Sequence, residues 1–298
     1  MNIILLVVCL LPIKVFAAEY EYYGQNIIGE NNIVSYDTKI NWKDVSYDYE
    51  ISIKDLQSAN PHLKRYKFIR PNTEILIPSK FILPAKNLRD GIVINMAEQR
   101  LYYFPKELNI VLTYPVAMGR NKWRTPTAHT YVKSKTIDPT WYVPNSIREH
   151  SIDTHGYLLP EFIPPGPNNP LGTRAIYLKL SGILIHGNNN KSSIGSLVSS
   201  GCIRMYNHNI EELYEYIEPN TPVYIVHHSI KIAHFDNQIF FESHEPIKLD
   251  EQPSILNKVV MDDLLMEIKL DVDINYDKLE KMLQLKSGVV SNISENQI

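Results

Sequence analysis

Between residues 163 and 172 the chain reads Ile-Pro-Pro-Gly-Pro-Asn-Asn-Pro-Leu-Gly, and no helix can run through it. Each Pro lacks a donor N–H and pushes the residue before it out of the helical region. The stretch is a connection, and the segments around it are short apolar runs cut by further Pro and Gly. Over residues 90–228 this punctuation predicts short strands. Ile92 to Asn95 and Leu101 to Phe104 flank Met96-Ala97-Glu98-Gln99 in a hairpin pattern. Further strands are predicted at 110–118, 129–136, 175–180, 182–187 and Val223 to Val226. One helix is predicted where Ile210, Leu213, Tyr214 and Ile217 form an apolar stripe, with Asn209 and Glu212 as a capping pair and Pro219 as the stop.

The flanks read differently. Residues 1–18 hold an apolar run from Ile3 to Leu11 and small residues at Ala17-Ala18, the pattern of a cleaved export signal. The run is shorter than the ~20 residues a membrane-spanning helix needs. Residues 19–32 are polar and read as a loose leader. Residues 33–83 read as a small α+β unit: a helix from Tyr49 to Ala59 ending at Asn60-Pro61, then a turn at Pro71-Asn72 into a strand ending at Ile77. Residues 229–298 read as a mixed extension. It has a hairpin from His234 to Glu242 turning at Asp236-Asn237, and helical stretches between Asp262 and Leu285. With a net charge of −3 and a pI near 6.4, no basic field exists to draw in nucleic acid.

Loss of residues 1–18 would remove Cys9 and leave Cys202 as the one thiol. In an oxidising compartment such a Cys is either buried and inert or kept for chemistry. Its surroundings favour chemistry. The apolar strand Gly182-Ile183-Leu184-Ile185-His186-Gly187 delivers a His at its end. Sixteen residues after that His, the small-residue loop Ser199-Ser200-Gly201 presents Cys202, followed by Ile203-Arg204. A free thiol is only slightly ionised at neutral pH, so an imidazole that takes its proton makes it a nucleophile. The imidazole must be held in one tautomer, and the Gly187 carbonyl is the candidate holder. The Gly201 and Cys202 N–H groups are candidate oxyanion donors. Arg204, two residues past Cys202, would share its side of an extended segment and suit a carboxylate.

At these residues the sequence resembles the YkuD-type L,D-transpeptidases, more closely the ErfK/YbiS/YcfS/YnhG branch. The resemblance rests on Ser199-Ser200-Gly201-Cys202-Ile203-Arg204 and His186-Gly187, together with ordered matches elsewhere. Those include Gly91 to Asn95, Arg100 to Phe104, Gly119-Arg120 with Thr125-Pro126-Thr127, Pro139-Thr140-Trp141, Pro164 to Gly172, and Asn209 to Leu213. It implies a mainly β catalytic domain of sandwich or barrel form over 90–228, with a short helix after the Cys loop. Residues 33–83 partly resemble a LysM-type glycan-binding module.

The resemblance implies a catalytic set of Cys202, His186 and Gly187, and a substrate pocket formed by Arg204, Ser199, Ser200, Gly201 and Asn188. It implies a thioester on Cys202 formed from a peptidoglycan tetrapeptide stem at diaminopimelate, with release of D-Ala. An amine then takes the acyl group, giving a 3→3 cross-link or anchoring a lipoprotein. No cofactor or metal is expected; His227-His228, His234 and His244 have no metal-ligand spacing. Partners would be stem peptides, glycan and a murein-attached lipoprotein, and the location the periplasm. Two other functions share these residues: a murein carboxypeptidase or hydrolase, in which water replaces the amine, and a wall-binding protein in which Cys202 is packing.

Overall fold

The computed structural model describes residues 19–120, 123–247 and 273–295, with His155 described by its backbone alone. The proposed export signal at 1–18 and the part of the tail between 262 and 272 lie outside the described residues. The fold is mainly β. Its centre is a nine-stranded sheet in the order Glu19–Glu21, Ile110–Pro115, Arg100–Phe104, Gly91–Asn95, Pro222–Val226, Ala128–Ile137, Arg174–Leu178, Leu184–His186 and Ile203–Arg204. The pairings are antiparallel except Pro222–Val226 with Gly91–Asn95 and Leu184–His186 with Ile203–Arg204, which are parallel.

The ten-residue strand Ala128–Ile137 joins the two halves. Its first part, Ala128 to Tyr131, pairs with Pro222–Val226. Its second part pairs with Arg174–Leu178 after a register shift between Val132 and Ser134. Such a shift adds local bend and twist, which curls the sheet.

Both faces of the central strands are covered. Ile92, Ile94, Leu101, Tyr103, Leu112 and Tyr114 point into one core, which the helix Asn207–Tyr216 closes with Ile210, Leu213 and Ile217. The alternate residues Val93, Tyr102, Phe104 and Val111 point the other way. There they share a second core with Trp42, Val45, Ile51, Leu56, Ile75 and Ile77 of the N-terminal unit. This period-two split is what a strand buried on both sides requires.

The N-terminal unit differs from its sequence reading. Residues 19–32 are not a loose leader. Glu19–Glu21 forms the sheet edge on Ile110–Pro115, and Ile27–Ile28 pairs with Phe81–Ile82. The single helix expected over 49–59 is two helices, Trp42–Tyr49 and Ile53–Ala59. Glu50 breaks them apart with a left-handed φ of 53°. Each helix has a side-chain cap: Asn41 accepts from the Lys43 and Asp44 N–H groups, and Ser52 from that of Asp55. Asn32–Val34 runs antiparallel to Ile75–Ile77, so the two helices sit between paired strands.

A helix that patterning missed, Asn145–His155, starts after Pro144 and stops at Gly156, whose φ is +78°. Its apolar periodicity is weak, which hid it. The capping pair expected at Asn209 and Glu212 is also corrected. The helix begins at Asn207, and Asn209 lies inside its first turn, completely buried. In the C-terminal extension, Ile230–Phe235 and Gln238–Ser243 form the expected hairpin, with Asp236 and Asn237 both at positive φ. Ser291–Asn292 adds a third strand, and the helix Tyr276–Leu285 packs Leu279 and Met282 onto Phe241.

Candidate active site

The sequence segments singled out for chemistry meet on one edge of the curled sheet. Leu184–His186 and Ile203–Arg204 are adjacent parallel strands with Ile185 opposite Ile203 and His186 opposite Arg204. Ile185 and Ile203 are fully buried in the core, so their alternating neighbours Leu184, His186, Cys202 and Arg204 share the opposite face. Strand geometry puts the Cys202 and His186 Cα atoms about 8 Å apart, two residues along and one strand across.

His186 is held from several directions. Its Nδ1 lies 2.6 Å from the Gly187 carbonyl oxygen. Its backbone carbonyl accepts from Met205 N–H at 2.8 Å, and Gly187 N–H donates to Arg174 at 3.1 Å. Proton on Nδ1 donating to Gly187 leaves Nε2 as the acceptor. Burial, and then the positive Arg204, push the imidazole pKa down to about 3, against the pull of the Gly187 and Leu171 carbonyls. His186 is a neutral imidazole at physiological pH. Gly187 has a packing reason to be Gly: a Cβ there would strike Asn207 Oδ1.

Cys202 is a partly exposed free thiol. Its Sγ donates toward the Gly182 carbonyl at 3.5 Å. Burial raises its pKa, opposed by the Leu184 N–H and by Arg204. The site therefore starts with a neutral thiol, its sulfur turned toward Gly182, and a neutral imidazole on the neighbouring strand.

The other site residues divide. Arg204 stands close enough to affect both Cys202 and His186. Its backbone is locked between strands, exchanging hydrogen bonds of 2.8 and 2.9 Å with Ala117. Ser200 is half-exposed beside Cys202. Ser199, expected in the substrate pocket, is buried, and its hydroxyl donates to the Cys202 carbonyl at 2.5 Å. It braces the turn. The Gly201 N–H donates to Ser199 Oγ at 3.2 Å, which corrects its reading as an oxyanion donor. Asn188 is likewise a brace: its Nδ2 donates to the Met205 carbonyl, its Oδ1 accepts from Asn190, and its own N–H donates to Asn207 Oδ1.

Three supports were not legible in the motif. Thr125 Oγ1 donates to the Gly201 carbonyl at 2.7 Å and accepts from Gly119 N–H at 3.0 Å, tying a distant loop to the Cys turn. Arg120 N–H donates to the Ser199 carbonyl at 3.0 Å, and its guanidinium stacks 4.3 Å over the Trp123 ring. Glu50, in its left-handed turn, accepts from Asn209 Nδ2 and bonds His208 Nε2, both at 2.6 Å. Through Glu50 the N-terminal unit grips the helix that follows the Cys turn.

The chain matches the YkuD L,D-transpeptidase catalytic domain over residues 89–225. It is 32% identical to the probable L,D-transpeptidase YcfS of Escherichia coli K12, over 92% of this chain and 87% of that one. It is 34% identical to the probable L,D-transpeptidase ErfK/SrfK of the same strain, over 83% and 80%. The catalytic domain of the E. faecium L,D-transpeptidase, solved by NMR, is 21% identical and covers 47% of this chain and 99% of its own, with a TM-score of 0.36. The chain belongs to the L,D-transpeptidase family. It is an enzyme of the ErfK/YbiS/YcfS type.

A second buried titratable cluster lies away from this edge. Glu98, Glu242 and His244 bring their ligand atoms within 4.8 Å of one another. Spacing in the sequence had joined His244 to no acidic group. A cation already sits among them: Lys231 Nζ is 2.5 Å from Glu98 Oε1 and 3.1 Å from Glu242 Oε1. His244 Nε2 bonds Glu242 at 2.6 Å, and its Nδ1 faces Asp55 of the N-terminal unit at 3.9 Å. Tyr102 OH donates to Glu98 at 2.7 Å. Burial alone would neutralise Glu98 and His244, but Lys231 and His244 hold Glu98 below the usual carboxylate range, and Glu242, Glu98 and Asp55 hold His244 above the usual imidazole value.

Proposed function

We propose that this enzyme forms a thioester between Cys202 and a peptidoglycan tetrapeptide stem, then passes the acyl group to an amine. The reading rests on one observation: Cys202, a tautomer-fixed His186 and Arg204 project from adjacent parallel strands onto one face. Because thiol and imidazole both start neutral, the proton moves as the bond forms. The sulfur leaves its Gly182 contact and attacks the diaminopimelate carbonyl, while its proton passes to His186 Nε2. The Cys202 N–H faces the oxyanion. His186 returns the proton to the departing D-Ala amine as the C–N bond breaks. In the second half an acceptor amine gives its proton to His186, attacks the thioester, and the thiol is restored.

The acceptor in this reading is a second diaminopimelate or a lipoprotein Lys. The paired-strand, two-helix unit at 33–83 supports a glycan-holding role of LysM type, and the leader at 1–18 supports work in the periplasm. The test is intact-mass analysis of wild type and Cys202→Ala with a tetrapeptide donor. Wild type gains an acyl mass and the variant does not; an adduct on the variant sinks the mechanism. Adding a diaminopimelate acceptor then yields cross-linked dimer, whereas tripeptide alone assigns the enzyme to hydrolysis.

A further inference from the structure

We infer that Arg120 and Arg204 form a two-guanidinium clamp for the terminal carboxylate of the residue that departs from the stem. The inference rests on the proposed thioester chemistry and adds what recognises the donor.

The two arginines reach the site by separate routes. Arg204 is carried by the strand after Cys202. Arg120 follows the strand Met118–Gly119, which runs parallel to Leu197–Ser199 and so lies across from the Cys turn. Thr125 pins that loop to Gly201, and the Trp123 ring holds the Arg120 guanidinium in place. Arg120 N–H bonds the Ser199 carbonyl and Ala117 pairs with Arg204, so backbone pairing brings both arginines to the Cys turn, where Arg120 disfavours the charge on Arg204.

Like charges brought near one another are unfavourable unless an anion lies between them. Among the described residues, neither arginine has a carboxylate partner. The Nε of each is buried without a hydrogen-bond acceptor. By contrast, Arg148 elsewhere has its Nε on a carbonyl and Glu161 alongside. The unmatched charge belongs to a ligand, and the planar fork of Arg selects a carboxylate.

Position decides which carboxylate. Arg204 is two residues beyond Cys202 on the same face, roughly 6.6 Å along an extended strand. A stem whose reacting carbonyl sits on the sulfur carries its terminal carboxylate one residue further on, about 3.5 Å away along the peptide. That falls between the sulfur and the two forks. The distal carboxylate of diaminopimelate lies a full side chain away on the retained acyl part.

The test compares a tetrapeptide stem as free acid and as C-terminal amide, in two assays on the full-length protein. Calorimetric titration uses Cys202→Ala, so no chemistry intervenes; acylation by intact mass uses wild type. The clamp gives the acid an advantage of tens-fold in binding, as charge-assisted hydrogen bonds to a buried site allow. Arg120→Ala and Arg204→Ala, each placed in the Cys202→Ala background, shrink that ratio toward one, and Arg120→Lys keeps part of it. Unchanged melting temperatures show that the variants fold. An acid-to-amide ratio near one in the parent, or one that survives both Ala substitutions, overturns the clamp. Failure of wild type to acylate, with the ratio intact, would instead remove the thioester reading and leave the clamp standing.

Discussion

Two buried sets of ionisable groups in this chain have opposite fates. At the sheet edge burial outweighs the charges around Cys202 and His186: Arg204 only partly offsets it for the thiol and adds to it for the imidazole, and both groups move toward their neutral forms. In the cluster of Glu98, Lys231, Glu242 and His244, acid and base groups meet at 2.5 to 3.1 Å, and these partners hold Glu98 below the usual carboxylate range and His244 above the usual imidazole value. Desolvation acts on both; partners decide the outcome. In the proposed mechanism the first arrangement moves a proton. The second ties the Glu98 hairpin, the C-terminal extension and the N-terminal unit together, since Lys231 also donates to the Ile82 carbonyl and Glu242 accepts from Ile82 N–H.

The contrast between the two sets makes four measurable differences. Cys202→Ala should abolish acylation, a loss on the order of 10⁴-fold or more, with the fold intact. A calorimetric melt beside the acylation assay checks both. His186→Gln should slow acylation by roughly 10²- to 10⁴-fold while leaving Cys202 open to iodoacetamide. An equally slow alkylation would mean the substitution had closed the site rather than removed a base.

Lys231→Met should cost about 3–5 kcal/mol, because Glu98 and Glu242 would share a buried site without their cation. Denaturant unfolding measures it. Adding Glu98→Gln should recover part of the loss; full additivity would contradict the coupling.

The smallest effect is in pH. His244 has a folded pKa above 6.5, so its contribution is complete below pH 6.5 and is lost as pH rises through the raised value. Glu98 has a folded pKa below 4.5, so its contribution holds above pH 4.5 and is lost as pH falls through the lowered value. His186 runs the other way from His244: with a folded pKa near 3, it removes stability as pH falls from 6.5 toward 3. His186→Gln should flatten the acid side of the melting curve against pH, and His244→Gln the side above pH 6.5. Shifts of a few degrees are expected. Identical curves for the two variants would refute the opposition.

Much of the site was legible because it is local. His186-Gly187 and Gly201-Cys202-Ile203-Arg204 are short segments, and the register that joins them follows from two apolar residues, Ile185 and Ile203, seeking the core. The helix over Asn207–Tyr216 was legible from its stripe. What could not be read depends on partners far along the chain. The resemblance places Ser199 and Asn188 in a substrate pocket, but the fold spends their polar atoms on the carbonyls of Cys202 and Met205. The edge strand Glu19–Glu21 has no apolar pattern and exists because Ile110–Pro115 offers it unpaired backbone.

Residue order alone carried the mainly β character, the candidate pair Cys202 and His186, and the Gly187 carbonyl against the imidazole. These depend on local patterning and on which side chains can do such chemistry. The fold alone set the desolvation that keeps that pair neutral and the burial of Lys231 among carboxylates up to 133 residues away. Charge interactions depend on distance and desolvation, and neither is written in residue order.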